Sequence, residues 1–125
     1  MEVYTGVDLI ETERIKEAIK NEDFLKRIYT ENEIAYCEAK KGEARIQGYA
    51  ARFAGKEAIF KAISKVMELD MGINWKKIEI LKEESGRPYV NLKIEKIQKE
   101  RLKIDVSLAH IKEYAIATAV ATYKE

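Results

Sequence analysis

Apolar and charged positions change period several times along the chain, and each change predicts an element. Val3 to Asp8 is an apolar run that reads as the first strand. From Thr12 to Lys20, apolar Ile15, Ala18 and Ile19 fall at helical spacing among charges, which predicts an amphipathic helix. Thr30 followed by Glu33 makes a capping box for a helix through Ile34, Tyr36 and Cys37, ending before Lys41 and Gly42. The longest helical stripe runs from Arg45 to Met67 and is expected to bury Tyr49, Phe53, Ala54 and either Phe60 or Ile63.

Beyond Gly72 the period shortens to two. Ile78 and Ile80 alternate with charged residues as a strand, Glu84 to Arg87 reads as a turn, and Tyr89 to Ile94 makes a second strand, so the pair is a hairpin. Glu95 to Arg101 is expected to form a short helix. Ile104 to Leu108 and Tyr114 to Thr122 close the chain as two β-rich runs, although alanine-rich Ala115 to Ala121 imitates a helix by composition. Strands and helices that do not alternate regularly, with at least one hairpin, predict an α+β fold with a mainly antiparallel sheet against the long helix. The single proline, Pro88, and six glycines do not cluster into a linker, so residues 1–125 are expected to form one domain.

Composition narrows the function classes. A chain of 125 residues buries about two-thirds of its unfolded surface, and 46% hydrophobic residues are enough for one core. Charged residues are abundant but balanced to a net +1, which argues against extended nucleic-acid binding. Cys37 is the only cysteine and His110 the only histidine, so an internal disulfide and a Cys/His zinc site are excluded. Cys37 reads as a small buried apolar residue rather than a nucleophile. No apolar run approaches the roughly 20 residues that span a bilayer, and no signal-like N-terminal core occurs, so a cytoplasmic protein is expected.

The candidate chemistry lies in Arg52 to Ala62, where Glu57 and Lys61 stand four apart on one helical turn, and in Asp8 at the end of the first strand. Two carboxylates and a lysine suit Mg²⁺ and a phosphorylated substrate, because Mg²⁺ takes one or two carboxylates and fills its shell with water and phosphate oxygens. No glycine-rich phosphate loop occurs, so side chains and metal must hold the phosphates. Spacing alone leaves a plainer account open. Asp8 could cap the next helix, and Glu57 could pair with Lys61 for about 0.2 to 0.5 kcal/mol.

Five ordered motifs then point to a family. Gly6-Val7-Asp8-Leu9-Ile10 with Glu13-Arg14-Ile15 comes first, followed by Arg27-Ile28-Tyr29-Thr30 with Glu33. Arg52-Phe53-Ala54-Gly55-Lys56-Glu57-Ala58 with Lys61-Ala62 is third, Gly86-Arg87-Pro88 fourth, and Val106-Ser107-Leu108-Ala109-His110 with Glu113-Tyr114-Ala115 last. Together they resemble the holo-acyl-carrier-protein synthases, the small bacterial type of 4′-phosphopantetheinyl transferase. The resemblance implies that a serine of apo acyl carrier protein attacks the β-phosphate of coenzyme A, accepting 4′-phosphopantetheine and releasing adenosine 3′,5′-bisphosphate. It implies that Asp8 and Glu57 hold Mg²⁺ and that Lys61 faces a pyrophosphate oxygen. The serine's proton would go to a water beside the metal or to a nearby carboxylate.

By the same resemblance, Arg52, taken as near the face of Glu57, meets a coenzyme A phosphate. His110 contacts coenzyme A, the Pro88 turn lies near its adenine or ribose phosphate, and Lys56 meets another part of the ligand or a neighbouring subunit. An acidic carrier protein calls for a basic docking face, for which Arg14, Lys16, Lys20, Lys26 and Arg27 are candidates, with Arg14 foremost. The family's homotrimeric habit makes Ile104, Val106, Ile116 and Val120 candidates for an intersubunit surface, although they could equally fill the monomer. Two departures stand out. Ile63 to Gly72 replaces the family's glycine-rich loop, and Ala109 replaces a serine. The altered loop is the one feature favouring a catalytically silent module that binds coenzyme A or a carrier protein.

Overall fold

The computed structural model describes residues 1–67, 72–95 and 100–125. In chain order these form β1 (Glu2–Glu11), α1 (Thr12–Ala18), α2 (Glu22–Ile28), α3 (Glu31–Glu38), α4 (Glu43–Met67), a 3₁₀ turn (Trp75–Lys77), β2 (Ile78–Lys82), β3 (Pro88–Leu92), β4 (Leu102–His110) and β5 (Tyr114–Tyr123). An antiparallel sheet of order β1-β5-β4 and an antiparallel hairpin β2-β3 make the α+β fold.

Small residues decide how the long helix meets the sheet. On β5, Ala115, Ala117, Ala119 and Ala121 face α4 and are buried, whereas Tyr114, Ile116 and Val120 point outward. On β1, Gly6 faces α4 so closely that a Cβ there would lie 1.9 Å from the Ala58 carbonyl oxygen. Any larger residue would lever strand and helix apart. The alternation of a strand thus survives in Ala115 to Ala121 with the usual sizes inverted.

Ile59, Ile63, Ile78 and Ile80 are fully buried between α4 and the hairpin. Full burial of each such side chain stabilises by roughly 1.5 to 3 kcal/mol. Tyr49, Ala54, Phe60 and Ile63 are all buried on α4, while Phe53 is half-buried and stacks on Phe24 at a ring separation of 6.3 Å.

Several boundaries differ from expectation. β1 continues to Glu11, and the helix expected over Thr12 to Lys20 ends at Ala18. An unexpected helix, α2, follows because Asn21 accepts hydrogen bonds from the Asp23 and Phe24 amides and restarts the chain. The capping box of Thr30 and Glu33 forms in both directions. The helix expected over Glu95 to Arg101 lies largely outside the described residues. Of the four candidate interface residues, Val106 is buried and Ile104 half-buried, which assigns them to the monomer, whereas Ile116 and Val120 are exposed.

Candidate functional site

Asp8, Glu57 and Lys61 meet where β1 crosses α4. The close approach allowed by Gly6 sets the strand against the helix, and Asp8 faces the same side two residues later. Lys61 reaches across the gap, its Nζ donating to the Val7 carbonyl at 2.9 Å and to Asp8 Oδ1 at 3.4 Å. Burial raises the Glu57 carboxyl above its ordinary value, the Asp8 charge raises it further, and Lys61 opposes both.

The plainer account fails at both ends. Glu11, not Asp8, is the N-cap of α1, and its side chain makes no cap hydrogen bond. Lys61 pairs with Asp8 across the gap. Among the described residues no three His, Cys, Asp or Glu side chains cluster closely enough to hold an ion by themselves. The corner therefore offers two carboxylates and leaves the rest of a coordination shell to other molecules.

Arg52 and Lys56 do not join this corner. One residue advances a helix by about 100°, so Arg52 and Lys56 share a face that Glu57 and Lys61 leave. Arg52, expected near the face of Glu57, is five residues away and therefore roughly 140° round. Lys56 is buried: its Nζ lies 2.8 Å from Glu33 Oε1 and donates to the Ile78 carbonyl at 2.6 Å and the Trp75 carbonyl at 3.1 Å. All three of its donors are taken, so it has none left for a ligand. Glu33 is saturated too, accepting from the Thr30 amide at 2.8 Å and the Ile80 amide at 2.9 Å.

Arg52 instead opens onto a cavity of about 250 Å³ together with Pro88 and His110. Lys40, Lys82 and Gln47 complete its polar lining, and no carboxylate lines it. Arg52 is only 2% exposed, and its Nε has no hydrogen-bond partner. Asp8, Glu57 and Lys61 are not part of this lining. Lys40 and Lys82 were not singled out from the sequence. Lys40 follows the end of α3 and Lys82 ends β2, and no motif spacing links them.

A shallow groove on α1 and α2 is lined by Arg14 and Arg27, by Phe24 and Asn21, and by Glu11, Glu13 and Glu17. Arg14 and Arg27 form no ion pair among the described residues. Lys20 is held by Glu17 at 3.0 Å and Lys26 by Glu22 at 2.8 Å, so neither stands as an uncompensated charge.

Residues 4–119 match the family model of the 4′-phosphopantetheinyl transferase superfamily. The holo-[acyl-carrier-protein] synthase of Ruminiclostridium cellulolyticum is 43% identical over 126 aligned residues, covering 96% of this chain and 92% of the relative. Among solved structures, the holo-(acyl-carrier-protein) synthase of Bacillus anthracis str. Ames in complex with CoA (3′,5′-ADP) is 29% identical. It superposes with a TM-score of 0.80, covering 97% of this chain and 96% of that one. An ACPS-CoA complex from Chronobacterium ammoniagenes shares the fold at a TM-score of 0.86 over the full length of both chains, with 24% identity. With Asp8, Glu57 and Lys61 gathered at one corner and a family match spanning nearly its whole length, the chain belongs to the 4′-phosphopantetheinyl transferase superfamily, alongside the holo-acyl-carrier-protein synthases.

Proposed function

We propose that residues 1–125 form one phosphopantetheinyl transferase domain that moves 4′-phosphopantetheine from coenzyme A to a serine of apo acyl carrier protein, with Mg²⁺, in fatty acid biosynthesis in the cytoplasm. The observation that carries this reading is the meeting of Asp8, Glu57 and Lys61 at the β1–α4 crossing. The serine oxygen bonds to the β-phosphorus of coenzyme A while the pyrophosphate P–O bond breaks. The serine's proton passes to a water or a carboxylate at the corner, and adenosine 3′,5′-bisphosphate leaves.

The donor set fits Mg²⁺. Burial first and the Asp8 charge second raise Glu57, and Lys61 is the cation that answers the two carboxylates. Asp8 and Glu57 would hold the ion, which when bound supplies charge neutralisation for a pyrophosphate. Lys61 is half exposed, so its ammonium can leave Asp8 and bind a pyrophosphate oxygen. The cavity of Arg52, Pro88 and His110 suits the phosphorylated adenosine end of coenzyme A, in line with the ligand named for the Bacillus anthracis structure. Arg14 and Arg27, flanking Phe24, suit an acidic carrier protein better than Lys20, which Glu17 already neutralises.

A homotrimer accounts for the separation of corner and cavity, since a second copy can bring its cavity to the corner of the first. The outward sheet face supports this: Val7 and Leu9 on β1 are 53% and 61% exposed, and Leu9 stands directly opposite exposed Ile116 on β5. Such a patch marks an interaction surface. Light scattering on the purified protein is expected to give three chains, and a strictly monomeric active protein would overturn the assembly.

The deciding experiment incubates the protein with coenzyme A, Mg²⁺ and an apo carrier protein and weighs the intact carrier. A phosphopantetheine increment is expected. An unchanged mass overturns the transferase reading.

A further inference from the structure

We infer that Tyr36 is a positioning residue that makes the basic cavity select a phosphate monoester: its ring face fixes the Arg52 guanidinium at the cavity wall and gathers Lys40 and Lys82 beside it. This rests on the reading of the cavity as the phosphorylated adenosine site and deepens it by naming what sets its selectivity.

Three cations from three elements converge on one ring. The Arg52 guanidinium carbon lies 4.0 Å from the Tyr36 centroid, Lys40 Nζ 5.0 Å and Lys82 Nζ 5.1 Å. All three distances fall within the range in which a ring face attracts a cation. None of the three cations has a carboxylate partner among the described residues, and none of the cavity's lining residues is acidic. Arg52 is nearly buried with its Nε unfilled, which costs free energy unless an anion completes the site. The Tyr36 phenol responds to the same field: burial raises its pKa, but a hydrogen bond with Lys82 and the charges of Lys82, Lys40 and Arg52 together outweigh burial and hold it below its ordinary value.

Without the ring, these like charges repel, and a guanidinium with no planar support loses its orientation. A phosphate monoester carries up to two negative charges and three acceptor oxygens, enough to engage Arg52 and both lysines. A phosphodiester presents a single charge and fewer free oxygens, so it cannot answer the same set. Tyr36 therefore acts through Arg52, Lys40 and Lys82: its ring face supports all three cations, and its hydroxyl adds a hydrogen bond to Lys82.

The test compares coenzyme A with 3′-dephospho-coenzyme A, which lacks only the ribose phosphate, as donors for the wild type, Tyr36→Leu and Tyr36→Phe. In Tyr36→Leu, KM for coenzyme A is expected to rise about 10- to 100-fold while KM for the dephospho form and both kcat values stay within about 3-fold. Tyr36→Phe keeps the ring under Arg52 and loses only the Lys82 hydrogen bond, so its KM for coenzyme A should rise far less than that of Tyr36→Leu. An equal rise for both donors, no rise for either, or an equal loss in Tyr36→Phe would overturn the role. Calorimetric titration with adenosine 3′,5′-bisphosphate and with adenosine 5′-monophosphate separates this proposal from the transfer reading. If the wild type transfers nothing yet Tyr36→Leu selectively loses the bisphosphate, the activity reading fails and the cavity reading stands. Should Tyr36→Leu not fold, Arg52→Lys must reproduce the selective loss, because it keeps the charge and removes the stacked plane; retained selectivity there overturns the proposal.

Discussion

Two sets of charges built around adjacent residues of α4, Lys56 and Glu57, have opposite fates. On one face Lys56 and Glu33 form a closed set, with Lys56's three donors engaged and both Glu33 oxygens accepting protein hydrogen bonds. On the other, Asp8 and Glu57 face a single, half-exposed lysine. A saturated buried pair can hold α3, α4 and β2 together, but it has nothing to offer a ligand. An unbalanced, partly exposed set is stable enough to exist and incomplete enough to bind. Burial pulls the Lys56 ammonium below its ordinary value while Glu33 opposes the shift, so this pair depends on its geometry staying intact.

The largest expected effect falls on the incomplete set. Glu57→Gln keeps the side-chain shape and removes one of two carboxylate charges, so transfer should drop about 10³-fold, or roughly 4 kcal/mol in the barrier. The melting temperature should barely move, and near-normal turnover in the mass assay would break the comparison at this end.

The closed set should respond in stability instead. Lys56→Met strands the buried Glu33 charge and two backbone carbonyls, which should cost about 3 to 4 kcal/mol in urea unfolding. KM for coenzyme A should be unchanged in the folded variant. A raised KM at full stability would make Lys56 a ligand residue after all. Gly6→Ala joins the two behaviours, since its Cβ would collide with the Ala58 carbonyl where the corner is assembled. A stability loss of about 2 to 3 kcal/mol is expected, with a fall in transfer beyond it as Asp8 moves off α4.

The smallest effect concerns Cys37, buried beneath Gly48 and pushed up to about 11 chiefly by burial. Its thiol should stay protonated at pH 8 and ignore a thiol-reactive disulfide reagent in the native protein, yet react at once in urea. Because the folded thiol holds its proton longer than the unfolded one, this group's contribution to stability is present below the unfolded value and lost as pH climbs towards 11. Rapid native labelling at pH 8 would contradict the burial.

Much of this could be read without coordinates. The capping box of Thr30 and Glu33 announced α3 because two reciprocal hydrogen bonds need only local spacing. The stripe from Tyr49 to Ile63 announced α4, and Glu57 with Lys61 announced a shared face. α2 escaped notice because its seven residues carry little periodic signal and begin at a lone Asn21. Arg52 was placed near the wrong face because membership in one motif suggested one site, whereas helical rotation separates residues five apart. Tyr36, Lys40 and Lys82 had no local signature at all, since their meeting depends on how three elements pack.

Sequence by itself determined most of the elements, the inverted sizes along β5, and the residue types able to handle a metal and a phosphate. These follow from neighbours within a few positions, where covalent geometry sets the spacing. Only the tertiary structure decided which charges would be spent inside and which left open. Solvent access and partner count are properties of distant segments brought together, and they separate Lys56, enclosed by Glu33 and two carbonyls, from Glu57 one residue later at the protein's edge.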